Sequence, residues 1–325
     1  MPSHRKLLLL LASIRFANLP SVVSNVWLGV ALGGWAGGGR SLQNLWVNAS
    51  LLVFAGLALY ISGNFFNDWH DRHWDAKHRP ERALPQGAFA PGLYLGLAVV
   101  AAIIGVALAG AAGLPSGAVA TLIVLCILGY TRWHKTAEWT VILMGLCRGL
   151  LPWLFLVGLF SEDGGSWLGI LGFCLIGGLT LGFVCQSLGL TLYIVALSQT
   201  ARRETQSSPR DAITYPLFLL LLAGFSMTVI PLHDEYPHAM NGLLIFAVWL
   251  LVCFTAFRQP IAARVSALLA GLPLLDWVGL LPISLWVLDI RSADPIEVRV
   301  ATVSLLLPPL AFLAGRLLQR LTPAT

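Results

Sequence analysis

Charged residues are scarce in this chain of 325 residues. Asp, Glu, Lys and Arg make up 11% of the sequence, whereas 57% is hydrophobic, and the mean hydropathy is +0.80. Soluble domains carry about 25% charged residues, so this composition excludes a soluble globular protein. No polar linker or low-complexity segment divides the chain. We therefore expect a single membrane-embedded domain over residues 1–325.

Cysteine is also rare, and its spacing excludes the usual cysteine chemistry. The chain has five cysteines, and no two of them form a CxxC pair. All five fall inside apolar runs, where we expect them to be reduced and to act as small core residues: Cys126, Cys147, Cys174, Cys185 and Cys253. The sequence therefore indicates neither a disulfide framework nor a cysteine metal site.

Long apolar runs, by contrast, occupy most of the chain. About 20 apolar residues are enough for a helix to cross the hydrocarbon core of a bilayer. Ten runs qualify, near residues 14–36, 45–65, 91–110, 116–131, 139–160, 167–197, 213–231, 241–257, 262–288 and 299–318. Nine crossings fit the same pattern. The sequence predicts an all-α, polytopic membrane bundle of nine or ten transmembrane helices.

Basic residues are distributed unevenly between the loops. With a cytoplasmic amino terminus, all of the 20 Lys and Arg residues lie in cytoplasmic segments except Arg40, Arg148, Arg291 and Arg299. Because Lys and Arg accumulate on the cytoplasmic side, we expect a multi-pass protein of the inner or plasma membrane in this orientation. The same rule and anionic membrane lipid account for the net charge of +5, so no nucleic-acid partner is indicated. The first run has no convincing small-residue cleavage site, which favours its retention.

An acidic stripe follows the second apolar run, in the string NDWHDRHWD that begins at Asn67. Asp68, Asp71 and Asp75 recur at the spacing of one helix face, and Asn64 lies one turn earlier. Like charges on one face repel each other, more so beside hydrocarbon, and a bound cation is the simplest compensation. Oxygen-only ligands favour Mg²⁺, which proteins usually hold with one or two carboxylates together with substrate phosphates.

Cations come directly after this stripe, in DAKHRPERALPQG. Lys77, Arg79 and Arg82 can bind phosphate oxygens, and Pro80 and Pro85 would stiffen the loop that carries them. Carboxylates followed by cations at a membrane edge predict a metal–diphosphate site. The alternative is a solvated, mixed-charge loop that caps a membrane span.

Two further loops on the same side add polar residues. The string YIVALSQTARRETQSSPRD, after the sixth run, contributes Tyr193, Ser198, Arg202, Arg203, Glu204 and Asp211. The connection between the fourth and fifth runs contributes Tyr130, Arg132, His134 and Lys135. We expect the three loops to converge over one end of the helical bundle.

At these residues the chain resembles the UbiA superfamily of intramembrane prenyltransferases. NDWHDRHWD fits the NDxxDxxxD signature of that family, and RPERALPQG is similar to its RPxRPxPxG continuation, with Ala83 in place of one proline. The string RFANLP, with Arg15 and Asn18, and the segment Tyr130 to Lys135 are also similar. The resemblance covers residues 10–290.

The resemblance implies Mg²⁺-dependent transfer of a prenyl group from a polyprenyl diphosphate to an aromatic or lipid acceptor. Breaking an allylic carbon–oxygen bond leaves diphosphate and a carbocation, so cations must stabilise the charge that grows on the leaving group. The metal ligands implied are Asn67, Asp68, Asp71, Asp75 and Glu204. The implied diphosphate contacts are Arg79, Arg82, Lys135 and Arg203, and the implied catalytic residues are Asp71, Asp75 and Tyr130.

The chain also departs from the family pattern. Members usually carry a second Asp-rich motif after the sixth span, but this chain has SQTARRE, in which Glu204 is the obvious acidic substitute. Together with LPLLDW around Asp276, this string is most similar to the EboC-like branch. A catalytically degenerate protein that binds or transports isoprenoids or lipids is the alternative function.

Some ionisable residues lie outside this pattern. Arg148 and Asp276 fall inside apolar runs, where a charge is costly and marks either a functional group or a structural ion pair. His70, His73 and His78 could ligate a transition metal. Their carboxylate neighbours favour solvated histidines at a helix end instead.

Overall fold

A computed structural model of the protein describes residues 3–36, 44–155, 178–202, 211–233, 236–291 and 293–322. Within these ranges every regular element is helical, which confirms the predicted all-α fold. The helices of the amino-terminal part are α1 (Ser3–Ser13), α2 (Leu19–Ala36), α3 (Leu45–His78), α4 (Pro91–Ala112), α5 (Leu114–Trp133) and α6 (Val141–Gly149). Those of the carboxy-terminal part are α7 (Gly178–Arg202), α8 (Asp211–Ser226), α9 (Val229–His233), α10 (Ala239–Thr255), α11 (Ile261–Ala270), α12 (Leu272–Asp289) and α13 (Pro295–Leu318).

Many of these helices are long and apolar enough to cross a membrane, and the chain is an integral membrane protein. Seven such spans are found among the described residues, at Phe16–Trp35, Leu45–His78, Pro91–Ala112, Leu114–Trp133, Leu181–Ala201, Ile261–Asp289 and Pro295–Leu318. Two shorter apolar helices cover Thr214–Ser226 and Ala239–Thr255. The runs predicted at 139–160 and 167–197 extend into residues 156–177, which lie outside the described ranges. The count of nine or ten crossings therefore stays a prediction.

Small residues allow the helices of the bundle to approach each other closely. A Cβ atom built on Gly29 of α2 would lie 2.0 Å from the carbonyl oxygen of Pro152. On α4, a Cβ atom at Gly105 would lie 2.7 Å from Cγ of Leu59 on α3. Such contacts are typical of membrane helices, which associate through close packing rather than through the hydrophobic effect.

Helices α2 and α13 run antiparallel along one side of the bundle. Trp27 of α2 donates a hydrogen bond from Nε1 to Oγ of Ser304 at 2.9 Å. Ten residues earlier, the carbonyl oxygen of Ala17 faces Gly315, where an added Cβ atom would lie 3.5 Å away. As the residue number rises along α2 it falls along α13, so the start of α2 and the end of α13 share one end of the bundle.

A buried polar cluster links α2, α3, α6 and α12. Asp276 accepts hydrogen bonds from Oγ of Ser24 at 2.5 Å and from Nδ2 of Asn25 at 2.9 Å. Arg148 donates to Oδ1 of Asn25 at 2.9 Å, and its guanidinium lies 4.9 Å from the ring centroid of Tyr60. The two opposite charges are therefore joined through the Asn25 amide rather than by direct contact. This arrangement favours the structural interpretation of Arg148 and Asp276.

Helix α3 is much longer than one membrane crossing requires. Its 34 residues span about 51 Å at 1.5 Å per residue, whereas the hydrocarbon core is about 30 Å thick. The apolar run ends near Phe66, and the last three turns carry the acidic stripe beyond it. These turns form the polar end of the bundle, where the predicted site residues of α3 and the following loop lie.

Candidate active site

The three aspartates of the acidic stripe face inward from the last turns of α3. Only 7% of Asp68, 6% of Asp71 and 2% of Asp75 is exposed. Burying a carboxylate is costly unless a cation or hydrogen-bond donors compensate for the lost water. The stripe therefore depends on partners from other segments, and these partners divide it into two halves.

Arg82 is the partner of the first half. Its Nη1 atom lies 2.8 Å from Oδ2 of Asp75 and 3.3 Å from Oδ1 of Asp68. The loop after α3 turns back to place it there, because the Arg79 amide donates to the Asp75 carbonyl at 2.7 Å and the Arg82 amide to the Arg79 carbonyl at 3.1 Å. One guanidinium thus binds two buried carboxylates, at the position where the sequence predicts a diphosphate contact.

Arg15 is a second cation at this half, from the segment between α1 and α2. Its Nη2 atom lies 3.5 Å from Oδ1 of Asp68, and its Nη1 atom donates to Oδ1 of Asn64 at 2.6 Å. The amide of Asn64 in turn donates to the Ile14 carbonyl at 3.0 Å. Arg15 has a φ of 51°, a left-handed conformation that is uncommon for a residue other than glycine. Arg15 belongs to the string RFANLP, which is similar to the family, but it was not predicted as a diphosphate contact.

The second half of the stripe consists of Asp71 and residues from α3 and the end of α5. Oδ1 of Asp71 accepts from Nζ of Lys135 at 2.7 Å and lies 3.3 Å from Nδ1 of His70. Oδ2 lies 3.1 Å from Nε2 of His134. Tyr130 stacks on the His134 ring with a centroid distance of 5.0 Å. Among the predicted site residues, Lys135 thus lies against Asp71 and Tyr130 lies against His134, whereas His134 itself was not predicted as a site residue.

The remaining predicted residues are less closely connected to the carboxylates. Asn67 is half-buried on α3, and Lys77 and Arg79 are exposed. Arg79 nevertheless lines the cavity described next. Arg203 and Glu204, the predicted contributions of the second polar loop, lie outside the described residues.

A cavity of about 310 Å³ opens beside Asp68. Four arginines line it, from α1, the α1–α2 connection and the loop after α3: Arg5, Arg15, Arg79 and Arg82. The acidic residues Asp68 and Glu81 face the same space. The apolar side chains of Leu8, Leu9 and Ala12 on α1 form another part of the wall, and Leu321 and Thr322 reach it from the other end of the chain. The cavity therefore combines an excess of positive charge with an apolar side.

The donor set fits a hard divalent cation. Oδ1 of Asp75 is buried and has no hydrogen-bond partner among the described residues, although its other oxygen is bound by Arg82. An uncompensated buried carboxylate oxygen is costly, and carboxylate oxygens are the ligands that Mg²⁺ prefers. Asp75 and the neighbouring Asp68 could hold such an ion without displacing another donor from Oδ1 of Asp75.

Comparison with known proteins agrees with this architecture. The model of the UbiA prenyltransferase family matches residues 26–306, and the chain belongs to that family. No curated protein matches the chain. A solved structure concerning digeranylgeranylglyceryl phosphate synthase in membranes is similar to this chain, with a TM-score of 0.51, 15% identity and coverage of 96% of this chain and 98% of that one. The apo structure of a UbiA homologue from Aeropyrum pernix K1 also has a TM-score of 0.51, with 14% identity and coverage of 93% and 98%. These similarities confirm the predicted UbiA fold.

Proposed function

We propose that the protein transfers a prenyl group from a polyprenyl diphosphate to an aromatic or lipid acceptor, in a Mg²⁺-dependent reaction at the cytoplasmic end of the bundle. Membership of the prenyltransferase family supports prenyl transfer in general. The observation that carries the proposal for this chain is the cavity in which Arg15, Arg79 and Arg82 surround the buried carboxylate of Asp68. Cations placed against carboxylates in this way suit a diphosphate that arrives with a metal ion.

The arginines of the cavity are suited to bind the diphosphate. Both contacts of Arg82 to the carboxylates are made by Nη1, so, among the described residues, Nη2 is not engaged by the acidic stripe and could bind a phosphate oxygen. Arg79 is exposed at the cavity wall and adds a second guanidinium. Guanidinium groups bind phosphate through paired, charge-assisted hydrogen bonds, and they stabilise the negative charge that grows on the leaving group.

The carboxylates are suited to hold the metal. Asp68 and Asp75 would bind Mg²⁺ through oxygens that include the unpartnered Oδ1 of Asp75. Bound there, the ion would neutralise the departing diphosphate. Asp71 lies on the same helix face, but it is engaged by Lys135 and His134. Asp68 and Asp75 thus form a pair on the diphosphate side, and Asp71 is paired with Lys135 instead.

The apolar part of the cavity is suited to the prenyl chain. Leu8, Leu9 and Ala12 present hydrocarbon beside Arg15 and Arg82. A water-poor wall next to the phosphate-binding groups would shield an allylic carbocation from hydrolysis while the acceptor approaches. Placement of this end in the cytoplasm is supported by the basic residues gathered around it, Arg5, Arg15, Arg82 and Lys135.

Purified full-length protein tests this function directly. It would be incubated with labelled geranyl, farnesyl or geranylgeranyl diphosphate and a membrane lipid extract, with and without Mg²⁺. We expect Mg²⁺-dependent release of diphosphate and a labelled lipid product. Asp75→Asn should reduce the release by about tenfold or more, as the loss of a ligand to a catalytic ion would.

The matched control is Asp289→Asn, at an exposed aspartate that ends α12. It should leave the rate unchanged. If the protein binds the labelled diphosphates but releases none under any of these conditions, prenyl transfer is contradicted, and the isoprenoid-binding alternative takes its place.

A further inference from the structure

Two imidazole rings flank Asp71, and neither is part of the Asp-rich signature. Nδ1 of His70 lies 3.3 Å from Oδ1 of Asp71, and Nε2 of His134 lies 3.1 Å from Oδ2. The ligand atoms of these three residues all lie within 4.8 Å of one another. His134 comes from the end of α5 and the other two from α3, so the fold brings the group together from separate helices.

The orientation of His134 is suited to a metal ligand. Its Nδ1 atom lies 3.1 Å from the carbonyl oxygen of Thr131, which can only accept a hydrogen bond. The Asp71 carboxylate at Nε2 also only accepts, so a neutral ring can donate to one of the two acceptors and directs a lone pair at the other. With the hydrogen on Nδ1, a metal ion bound by Nε2 would satisfy both contacts. Two lone pairs at 3.1 Å repel each other unless a proton or a metal ion lies between them. Metal-binding histidines almost always donate their second ring N–H to a carbonyl or carboxylate in this way.

The distances suit a single ion. Imidazole nitrogens and carboxylate oxygens lie about 2.0–2.2 Å from a bound zinc ion, which places neighbouring ligand atoms of a four- to six-coordinate ion roughly 3–3.5 Å apart. Both distances to Asp71, 3.1 and 3.3 Å, fall in this interval. The side chain of His70 is 34% exposed, so it can rotate toward His134 to complete the group.

A positive charge already lies against the same carboxylate. Nζ of Lys135 is 2.7 Å from Oδ1 of Asp71, and the same atom lies 4.5 Å from the ring centroid of Trp74. A metal ion would compete with the ammonium for Asp71. When a metal ion binds Asp71, the Lys135 ammonium can keep its cation–π contact with the ring of Trp74.

We infer that His70, Asp71 and His134 form a mixed nitrogen–oxygen site for a divalent transition metal such as Zn²⁺ or Co²⁺, distinct in chemistry from the Mg²⁺ site at Asp68 and Asp75. Imidazole ligands suit Zn²⁺, Co²⁺ and Ni²⁺, whereas Mg²⁺ takes oxygen ligands. The site depends on the proposed function for its role, a second cation beside the diphosphate. The binding of the metal does not depend on it.

The test is a titration of metal-free, full-length protein with Co²⁺ in the absence of diphosphate, followed by visible absorption. We expect ligand-field bands at one equivalent, their displacement by Zn²⁺, and no displacement by Mg²⁺ in large excess. His70→Ala and His134→Ala should each weaken Co²⁺ binding by about tenfold or more. His73→Ala, at an exposed histidine on the same helix, should bind Co²⁺ as the unaltered protein does.

The variant Lys135→Gln should change the affinity for Co²⁺ in the opposite direction. Because it removes a competing cation from Asp71, it should tighten Co²⁺ binding several-fold, an effect that general damage to the fold would not produce. Thermal unfolding of His134→Ala and of the size-conserving His134→Asn separates loss of the ligand from loss of the fold.

Equal Co²⁺ affinity in the two histidine variants and the unaltered protein would overturn the inference, and so would ready displacement by Mg²⁺. Histidine-dependent Co²⁺ binding in a protein that releases no diphosphate would contradict the proposed function and leave the metal site standing. Diphosphate release by a protein that binds no Co²⁺ would contradict the metal site and leave the proposed function standing.

Discussion

Arg82 donates a hydrogen bond from Nη1 to Oδ2 of Asp75 at 2.8 Å, and through this contact the loop after α3 is tied to the last turns of the helix. The pair is nearly enclosed, with 20% of the Arg82 side chain and 2% of the Asp75 side chain exposed. It offsets the charge of one carboxylate, and it places a guanidinium where a diphosphate would be bound.

Replacing Arg82 should weaken substrate binding. Arg82→Gln removes a guanidinium from two carboxylates and from the cavity, and charge-assisted hydrogen bonds of this kind contribute about 1.5–3 kcal/mol each. We expect the affinity for isoprenyl diphosphates in Mg²⁺ to fall by about tenfold or more, measured by titration calorimetry. Arg299→Gln, at an exposed arginine near the start of α13 and away from the site, is the control and should bind as the unaltered protein does. Unchanged affinity in Arg82→Gln would contradict the assignment.

Replacing Asp276 should destabilise the bundle. Asp276→Ala removes the carboxylate that opposes Arg148 across the Asn25 amide, and breaking a buried charge pair on one side costs about 3–5 kcal/mol. Thermal unfolding in detergent should show a large decrease in Tm. In Asp276→Ala combined with Arg148→Met the loss should be smaller than the sum of the two single losses, because neither charge is then left alone. Additive losses would show that the two residues act independently.

Gly29 tests the packing of α2. Gly29→Ala places a methyl group 2.0 Å from the Pro152 carbonyl oxygen, where backbone must move to admit it. We expect a loss of stability of about 1–3 kcal/mol, typical of an overpacked site. Gly96→Ala, in the second turn of α4 with nothing within 4 Å of its added Cβ, is the matched control and should be neutral or slightly stabilising. A similar Tm for the two variants would contradict the close approach.

The sequence predicts the acidic stripe and its loop well, because both are local. The spacing of Asp68, Asp71 and Asp75 defines one helix face by itself, and Arg82 needs only the turn stiffened by prolines to fold back onto it. The cations that come from far along the chain are harder to assign. Arg15 is 53 residues from Asp68 and His134 is 63 residues from Asp71, so their contacts depend on how α1, α3 and α5 pack. Hydropathy gives the length of an apolar run but not the direction in which its polar neighbours point.

Hydropathy also misses interruptions within an apolar run. The run predicted at 262–288 is divided into α11 and α12 at Gly271, and Pro273 follows at the start of α12. The Gly271 amide donates to the carbonyls of Ala267 and Leu268, which closes the last turn of α11. Both flanking segments are apolar, so the hydropathy profile continues across a break that backbone hydrogen bonds and proline create.

Cysteine labelling tests the orientation. In a background without native cysteines, Lys77→Cys at the site end and Arg291→Cys after α12 both occupy exposed positions. We expect intact cells to protect Lys77→Cys from a membrane-impermeant maleimide and to leave Arg291→Cys reactive, because basic residues gather at the site end. The reverse pattern would place the arginine-lined cavity on the side away from cytoplasmic isoprenyl diphosphates.

The antiparallel contact between α2 and α13 constrains the path of the whole chain. Arg15, just before α2, and Leu321, just after α13, line the same cavity. A chain that leaves one face of the bilayer and returns to it makes an even number of passes. We therefore expect an even number of passes, such as the predicted ten, and cysteine labelling can test this expectation. A cysteine at Leu321, which is 72% exposed, should therefore show the same sidedness as one at Lys77.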